Sequence, residues 1–196
     1  MTERVLYLVT CGAPLAERAG DGIRAARDRG WRPRLVPTDA SMPWVERNDL
    51  GGVEVLRGHR DPSASKRFPA PDAVAVVPAT FNTISAWANG AANTYPLVTL
   101  CSALGAKVPT VTVPFAKHDL AGHPAWLASL AVLRRAGIQL IDPSTGAVGA
   151  VHPIASGTGE QITQAFQWSW VMDCLDRISG GSSSSPVKQP GDASSS

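Results

Sequence analysis

A chain of 196 residues, 44% hydrophobic and 17% charged, suits one soluble domain with a sizeable core. A net charge of +2, with arginines scattered and not interleaved with aromatics, argues against a nucleic-acid surface. The three cysteines, Cys11, Cys101 and Cys174, are too few and too widely spaced for a disulfide framework or a zinc site, and they fit a reducing cytoplasm.

No apolar run reaches the roughly 18 residues of a membrane span. Residues 5–9 are too few for the apolar stretch of a secretory signal. Those five residues, Val-Leu-Tyr-Leu-Val, read instead as a buried strand ending at Thr10-Cys11-Gly12-Ala13-Pro14. Residues 15–29 carry Leu15, Ala19, Ile23 and Ala26 at helical spacing, with Gly30 placed to end the helix. Residues 31–36 form a second strand, closed by Pro37-Thr38-Asp39. A short strand over 53–56 precedes a polar, proline-rich loop over 57–71. The next elements are a strand over 73–77 and helices over 80–88 and 96–104. A strand follows over 108–113, then a helix over 124–136 with Pro near its start and Gly137 past its end. A strand over 138–141 leads into an irregular Gly/Pro/Ser-rich stretch, 142–159. The last helix spans 160–178, with Ile162, Phe166, Trp170, Cys174 and Ile178 at steps of four. One domain over 1–179 is expected, with a disordered Gly/Ser/Pro-rich tail over 180–196.

Strands alternating with helices predict an α/β fold with a mostly parallel sheet. Ligands of such sheets bind beyond the carboxyl ends of the strands. Gly12 stands at such an end, where a missing Cβ lets an anion approach a helix N-terminus; a plain tight turn is the alternative. The dinucleotide fingerprint is absent. Thr38 and Ser41 offer hydroxyls for phosphate oxygens, or a simple helix cap. Thr80, Asn82 and Thr83 exceed what one cap needs, and an Asn amide can both donate and accept at the polar edge of a heteroaromatic ring. The four histidines, His59, His118, His123 and His152, have no metal-ligand spacing. His123, before Pro124, suits a cap; His59 lies in a polar loop within reach of the site edge.

Residues 77–94, V-P-A-T-F-N-T-I-S-A-W-A-N-G-A-A-N-T, resemble the P-A-S-A-N-T-x-x-K-x-A-x-G-x-x-D-N motif of the flavin-containing cysteine decarboxylases. That family includes phosphopantothenoylcysteine decarboxylase and the lantibiotic peptidyl-cysteine decarboxylases. Residues 114–125, P-F-A-K-H-D-L-A-G-H-P-A, resemble its P-x-M-N-x-x-M-W-x-[NH]-P segment. The resemblance spans residues 4–178 and implies a flavodoxin-like (Rossmann-like) three-layer sandwich, bound FMN and a homo-oligomer, a trimer or multiples of it. By position it assigns the phosphate loop to Gly12, Ala13 and Pro14, and a second loop to Thr38, Asp39 and Ala40. It also assigns FMN contacts to Thr80, Phe81, Asn82 and Thr83, and a backbone contact to Phe115.

The chain departs from the pattern where Ala64 stands at the family's catalytic His, Lys117 at its substrate-binding Asn and Ala116 at its Met. Residues 154–159 hold no counterpart of the pantothenate branch's reductive Cys, although their Gly/Ser content resembles the flap of the peptidyl branch. The candidates for substrate contact are therefore Lys117, His59 and His123. The resemblance implies a flavin-dependent enzyme of decarboxylase or oxidoreductase type, acting on a small molecule or peptide. The alternatives are a non-catalytic FMN carrier or regulatory subunit, and a nucleotide-binding domain without flavin.

Overall fold

The computed structural model describes residues 4–58 and 68–180. Gly180, expected to begin the disordered tail, instead ends the last helix; the rest of the tail, His59 and Ala64 lie outside these residues. Six parallel strands form one sheet: β1 Arg4–Thr10, β2 Trp31–Pro37, β3 Glu54–Val55, β4 Ala73–Ala79, β5 Thr110–Pro114 and β6 Gln139–Leu140. Their order is β3-β2-β1-β4-β5-β6, so the winding reverses between β1 and β4. The expected mostly parallel sheet is parallel throughout its named strands.

The central strands are continuous apolar runs because helices cover both their faces. Leu6 and Leu8 of β1, with Ala73, Ala75 and Val77 of β4, enter one core layer. Val5, Tyr7 and Val9, with Val74, Val76 and Ala79, enter the other. Helices α1 (Ala19–Asp28), α7 (Gly159–Ala165) and α8 (Trp168–Gly180) cover the first face. Helices α3 (Phe81–Ala88), α4 (Tyr95–Gly105) and α6 (Pro124–Arg135) cover the second. Two single-turn helices, α2 (Met42–Val45) and α5 (His118–Ala121), sit in the connections.

The first predicted helix begins later than its spacing suggests. Pro14–Arg18 is a 3₁₀ turn, and α1 starts at Ala19. Likewise β5 starts at Thr110, after Lys107 turns with a φ of 56°.

The last helix is two helices, not one. Phe166 is extended (φ −60°, ψ 134°) and ends α7. The cause is the pair Phe166 and Trp168, both buried in the same layer. Residues two apart point to different sides of a continuous helix, so burying both in one place requires a break. Their rings meet edge to face, with centroids 5.6 Å apart, and Trp170 meets Phe166 at 5.5 Å. Trp168 Nε1 donates to Arg18 O (3.1 Å), and Arg18 Nη1 donates to Thr163 O (2.8 Å), so the break is tied to the turn after β1.

Candidate functional site

The carboxyl ends of the strands are laced together by backbone bonds. Cys11 N donates to Pro78 O (3.1 Å), Thr38 N to Thr10 O (2.9 Å) and Phe115 N to Ala79 O (2.8 Å). A cleft opens above them at the reversal point of the sheet, where α/β folds place ligands.

Its first cavity, about 520 Å³, runs from the Gly12–Pro14 loop past Thr38 and Ala40 to Thr80–Thr83, Phe115 and Lys117. A second, about 640 Å³, lies toward Asp39, Arg57, Asn93 and Tyr95. Thr38, Asn82 and Thr83 line both.

At Gly12 the chains approach closely: a Cβ there would lie 2.6 Å from Ala40 O. Glycine lets the β1 and β2 loops pack together under the cavity. Thr38 precedes a 3₁₀ turn but makes no side-chain cap bond; Ser41 Oγ donates to Thr38 O at 2.7 Å. Thr38 Oγ1 is buried without a partner among the described residues. Thr80 stands at the N-cap of α3 and makes no cap bond either; its hydroxyl lies 3.3 Å from Thr83 Oγ1. Capping, the plain alternative for both threonines, is therefore not what their hydroxyls do. Asn82 is exposed in the first turn of α3. Burial pushes the neighbouring Cys11 thiol up, despite bonds from Thr83 and the Thr80 backbone, so Cys11 is an inert core group.

Lys117 is the one charged side chain lining the first cavity among the described residues. Its segment is fixed by a strand-like bridge to Ile154: Ile154 N donates to Ala116 O (2.9 Å) and His118 N to Ile154 O (3.0 Å). Phe81 also lines the cavity, with its ring stacked on Trp126 at 5.8 Å. His123 lines neither cavity. It caps α6, its Nδ1 accepting from Ala125 N at 3.1 Å, and meets Phe81 edge to face at 6.0 Å.

The structure thus brings Gly12, Ala13, Pro14, Thr38, Ala40, Thr80, Phe81, Asn82, Thr83, Phe115 and Lys117 around one cavity. Asp39 faces the second only. Sequence reasoning missed Trp44 and Leu120; it placed residues 154–159 only as a Gly/Ser stretch at the family's flap position, and here Ile154, Ala155, Gly157 and Gly159 form a wall of the cavity. The only signal for that wall is its Gly/Ser content.

An anionic group with a flat ring fits these surroundings. They offer a glycine-floored loop, an unpartnered hydroxyl, an amide, a cation and apolar walls. Among the described residues, no cluster of three or more His, Cys, Asp or Glu could hold a metal, and no helix is long and apolar enough to cross a membrane.

A doubly wound parallel sheet with such a cleft at its reversal point defines the architecture of the flavodoxin-like class. The chain belongs to the Flavoprotein family, whose model matches residues 3–176.

The coenzyme A biosynthesis bifunctional protein CoaBC of Mycobacterium tuberculosis is 29% identical over 173 residues, covering 80% of this chain and 39% of that protein. The chain therefore spans about two fifths of this curated relative. Among solved structures, a phosphopantothenoylcysteine (PPC) decarboxylase mutant complexed with pantothenoylaminoethenethiol superposes with a TM-score of 0.61 at 21% identity, covering 72% of this chain and 83% of its own. AnUbiX in complex with FMN and dimethylallyl pyrophosphate gives 0.62 at 18% identity, covering 96% and 100%. These likenesses establish the flavodoxin-like fold.

Proposed function

We propose that the protein binds FMN in this cleft and is a flavin-dependent enzyme of decarboxylase or oxidoreductase type, acting on a small-molecule or peptidyl substrate. The observation that carries the reading is the buried, unpartnered Thr38 hydroxyl beside the Gly12 loop. A buried hydroxyl without a partner costs about 1–3 kcal/mol. A phosphate oxygen in the cleft would remove that cost. Family membership and the FMN named in the AnUbiX complex support the same reading.

In this assignment the Gly12–Pro14 backbone, Thr38 and Ala40 take the phosphate end. Thr80, Thr83 and the Asn82 amide take the ribityl chain and the polar ring edge, with Phe81 and Phe115 as apolar walls. Bound flavin would supply an acceptor for hydride or electrons. Lys117 meets an anionic group of the substrate, where a charge-assisted bond is stronger than a neutral one. His123 is a cap and a ring support, which leaves Lys117 as the sole described candidate for substrate contact in the first cavity.

Asn82→Ala should weaken FMN binding about tenfold or more, as expected for a lost ring-edge hydrogen bond. Asn82 is exposed, so the apo stability should hold to within the ~0.5 kcal/mol typical of surface changes. Unfolding of the variant would sink the assignment. A yellow purified protein, and a rise in melting temperature with FMN but not with NAD or ATP, check the cofactor itself. A colourless protein indifferent to FMN would overturn it.

A non-catalytic FMN carrier is the second reading. It is favoured by the lack of any described carboxylate or imidazole in the first cavity. Anaerobic bleaching of bound flavin by cysteine-ended peptides would rule it out.

The proposal extends to a homo-oligomer, a trimer or multiple of trimers, in the cytoplasm. Leu127 of α6, 69% exposed, and Leu120 on the cleft rim offer apolar surface to a second copy. Light scattering checks the mass.

A further inference from the structure

Asp142 follows β6 at the ligand edge of the sheet, and its side chain is 0% exposed. A carboxylate so placed must be fully bonded, or its burial costs several kcal/mol. Five hydrogen bonds reach it. Oδ1 accepts from Ser144 N and Thr145 N at 2.9 Å each and from Thr145 Oγ1 at 3.1 Å. These close the turn that follows the strand. Oδ2 serves a different purpose, accepting from His152 N at 2.8 Å and pairing with His152 Nδ1 at 2.9 Å.

Closing the local turn needs only Oδ1. The second oxygen reaches ten residues ahead to hold an imidazole that is itself 72% exposed, so burial of that ring is not what drives the contact. Two residues beyond His152, Ile154 is bridged to Lys117. From there Ile154, Ala155, Gly157 and Gly159 form one wall of the first cavity. At Gly159 that wall closes on the opposite loops: a Cβ there would lie 3.7 Å from Pro14 and 3.9 Å from Phe115.

We propose that Asp142 is a positioning residue for the cleft. By gripping His152 it holds residues 151–159 against the Lys117 segment, and so fixes the wall that any ligand of the first cavity meets. The root of this wall is anchored separately. Gly146 (φ 73°) leaves no room for a Cβ against Trp170, 2.4 Å away, and Arg134 Nη2 of α6 donates to Gly149 O (2.6 Å). The free span is therefore the part beyond Gly149, which is the part Asp142 holds. The positioning role stands on the geometry of the chain itself; only its consequence for flavin rests on the FMN reading.

The device has a defined pH window. Burial alone would raise the Asp142 carboxyl, but the bonds from His152, Ser144 and Thr145 outweigh it and hold the group below its ordinary value. A carboxyl lowered by folding contributes stability above its unfolded value of about 4, and loses that contribution as pH falls through the lowered value. The charged groups on adjoining elements are Arg134 on α6 and Lys117 and His118 on the bridged segment. No second carboxylate is bonded to the pair among the described residues.

The test is amide hydrogen exchange on the apo protein, followed by FMN dissociation. Asp142→Asn should raise exchange in residues 151–157 about tenfold or more, the scale of a lost bond to a charged group, with β1 and β4 unchanged. An equal rise in all elements, or no rise, overturns the proposal. Should that variant fail to fold, His152→Ala removes only the imidazole contact at an exposed side chain and should raise exchange in the same residues severalfold; no rise overturns the proposal.

After correction for intrinsic rates, wild-type exchange in 151–157 should be flat at neutral pH and step up in acid as Asp142 protonates. Asp142→Asn should lack the step, and a wild-type protein without one overturns the proposal. FMN should leave the variants faster by a similar factor. Variants that show the exchange effect in a protein that takes no FMN support the positioning role and sink the flavin reading alone.

Discussion

Gly12→Val should abolish FMN binding, with affinity lowered about a hundredfold or more, in a chain that still folds. A Cβ at position 12 would stand 2.6 Å from Ala40 O and 2.8 Å from the Ala40 carbonyl carbon and Cβ. Two of these atoms are backbone, so the β2 loop, carrying Thr38 and Ala40, must move away. Valine adds two methyl groups to that conflict. Overpacking of this kind costs about 1–3 kcal/mol, within the usual 5–15 kcal/mol stability of a domain. The loss of the cradle is more severe, because Thr38 and the Gly12 loop would no longer face one point. Titration by flavin fluorescence, beside a urea melt of the apo protein, separates the two effects. Wild-type FMN affinity in Gly12→Val would sink the assignment of this loop.

The largest effect on stability is expected at Phe166. It is 1% exposed and is the centre of the three-ring cluster with Trp168 and Trp170. Phe166→Ala should cost about 3–5 kcal/mol, read as a lower urea midpoint with an unchanged slope. Phe166→Leu keeps much of the volume and should cost well under half of that. The same position holds α7, whose first residue, Gly159, belongs to the cavity wall. Flavin affinity should therefore fall in Phe166→Ala even below the denaturation midpoint. A loss under about 1 kcal/mol would show that the ring cluster does not enforce the break.

The break between α7 and α8 shows where the sequence stops being legible. Steps of four from Ile162 to Ile178 fit one helix, and each of these residues is at least partly buried. Nothing local marks Phe166 as extended. The decision comes from Trp168, whose ring packs against the α1 face and whose Nε1 bonds Arg18, 150 positions earlier in the chain.

The central strands are legible for the opposite reason. β1 and β4 are buried on both faces, so apolar runs alone mark them. The same logic made most of the cleft legible, since the fold class dictates that Gly12, Thr38, Thr80 and Phe115 share an edge. The Ile154–Gly159 wall and the Asp142–His152 pair follow no strand-end rule. They depend on hydrogen bonds across ten or more residues of irregular chain, which composition does not encode.

Thr38, Asn82 and Thr83 line both cavities, so the end of β2 and the first turn of α3 form a party wall between two chambers. Guests in adjoining rooms are coupled wherever one of them moves a side chain that both rooms share. A molecule that reorients Asn82 in one room alters the reception of the next. Reciprocity then requires each guest to change the other's affinity by the same factor.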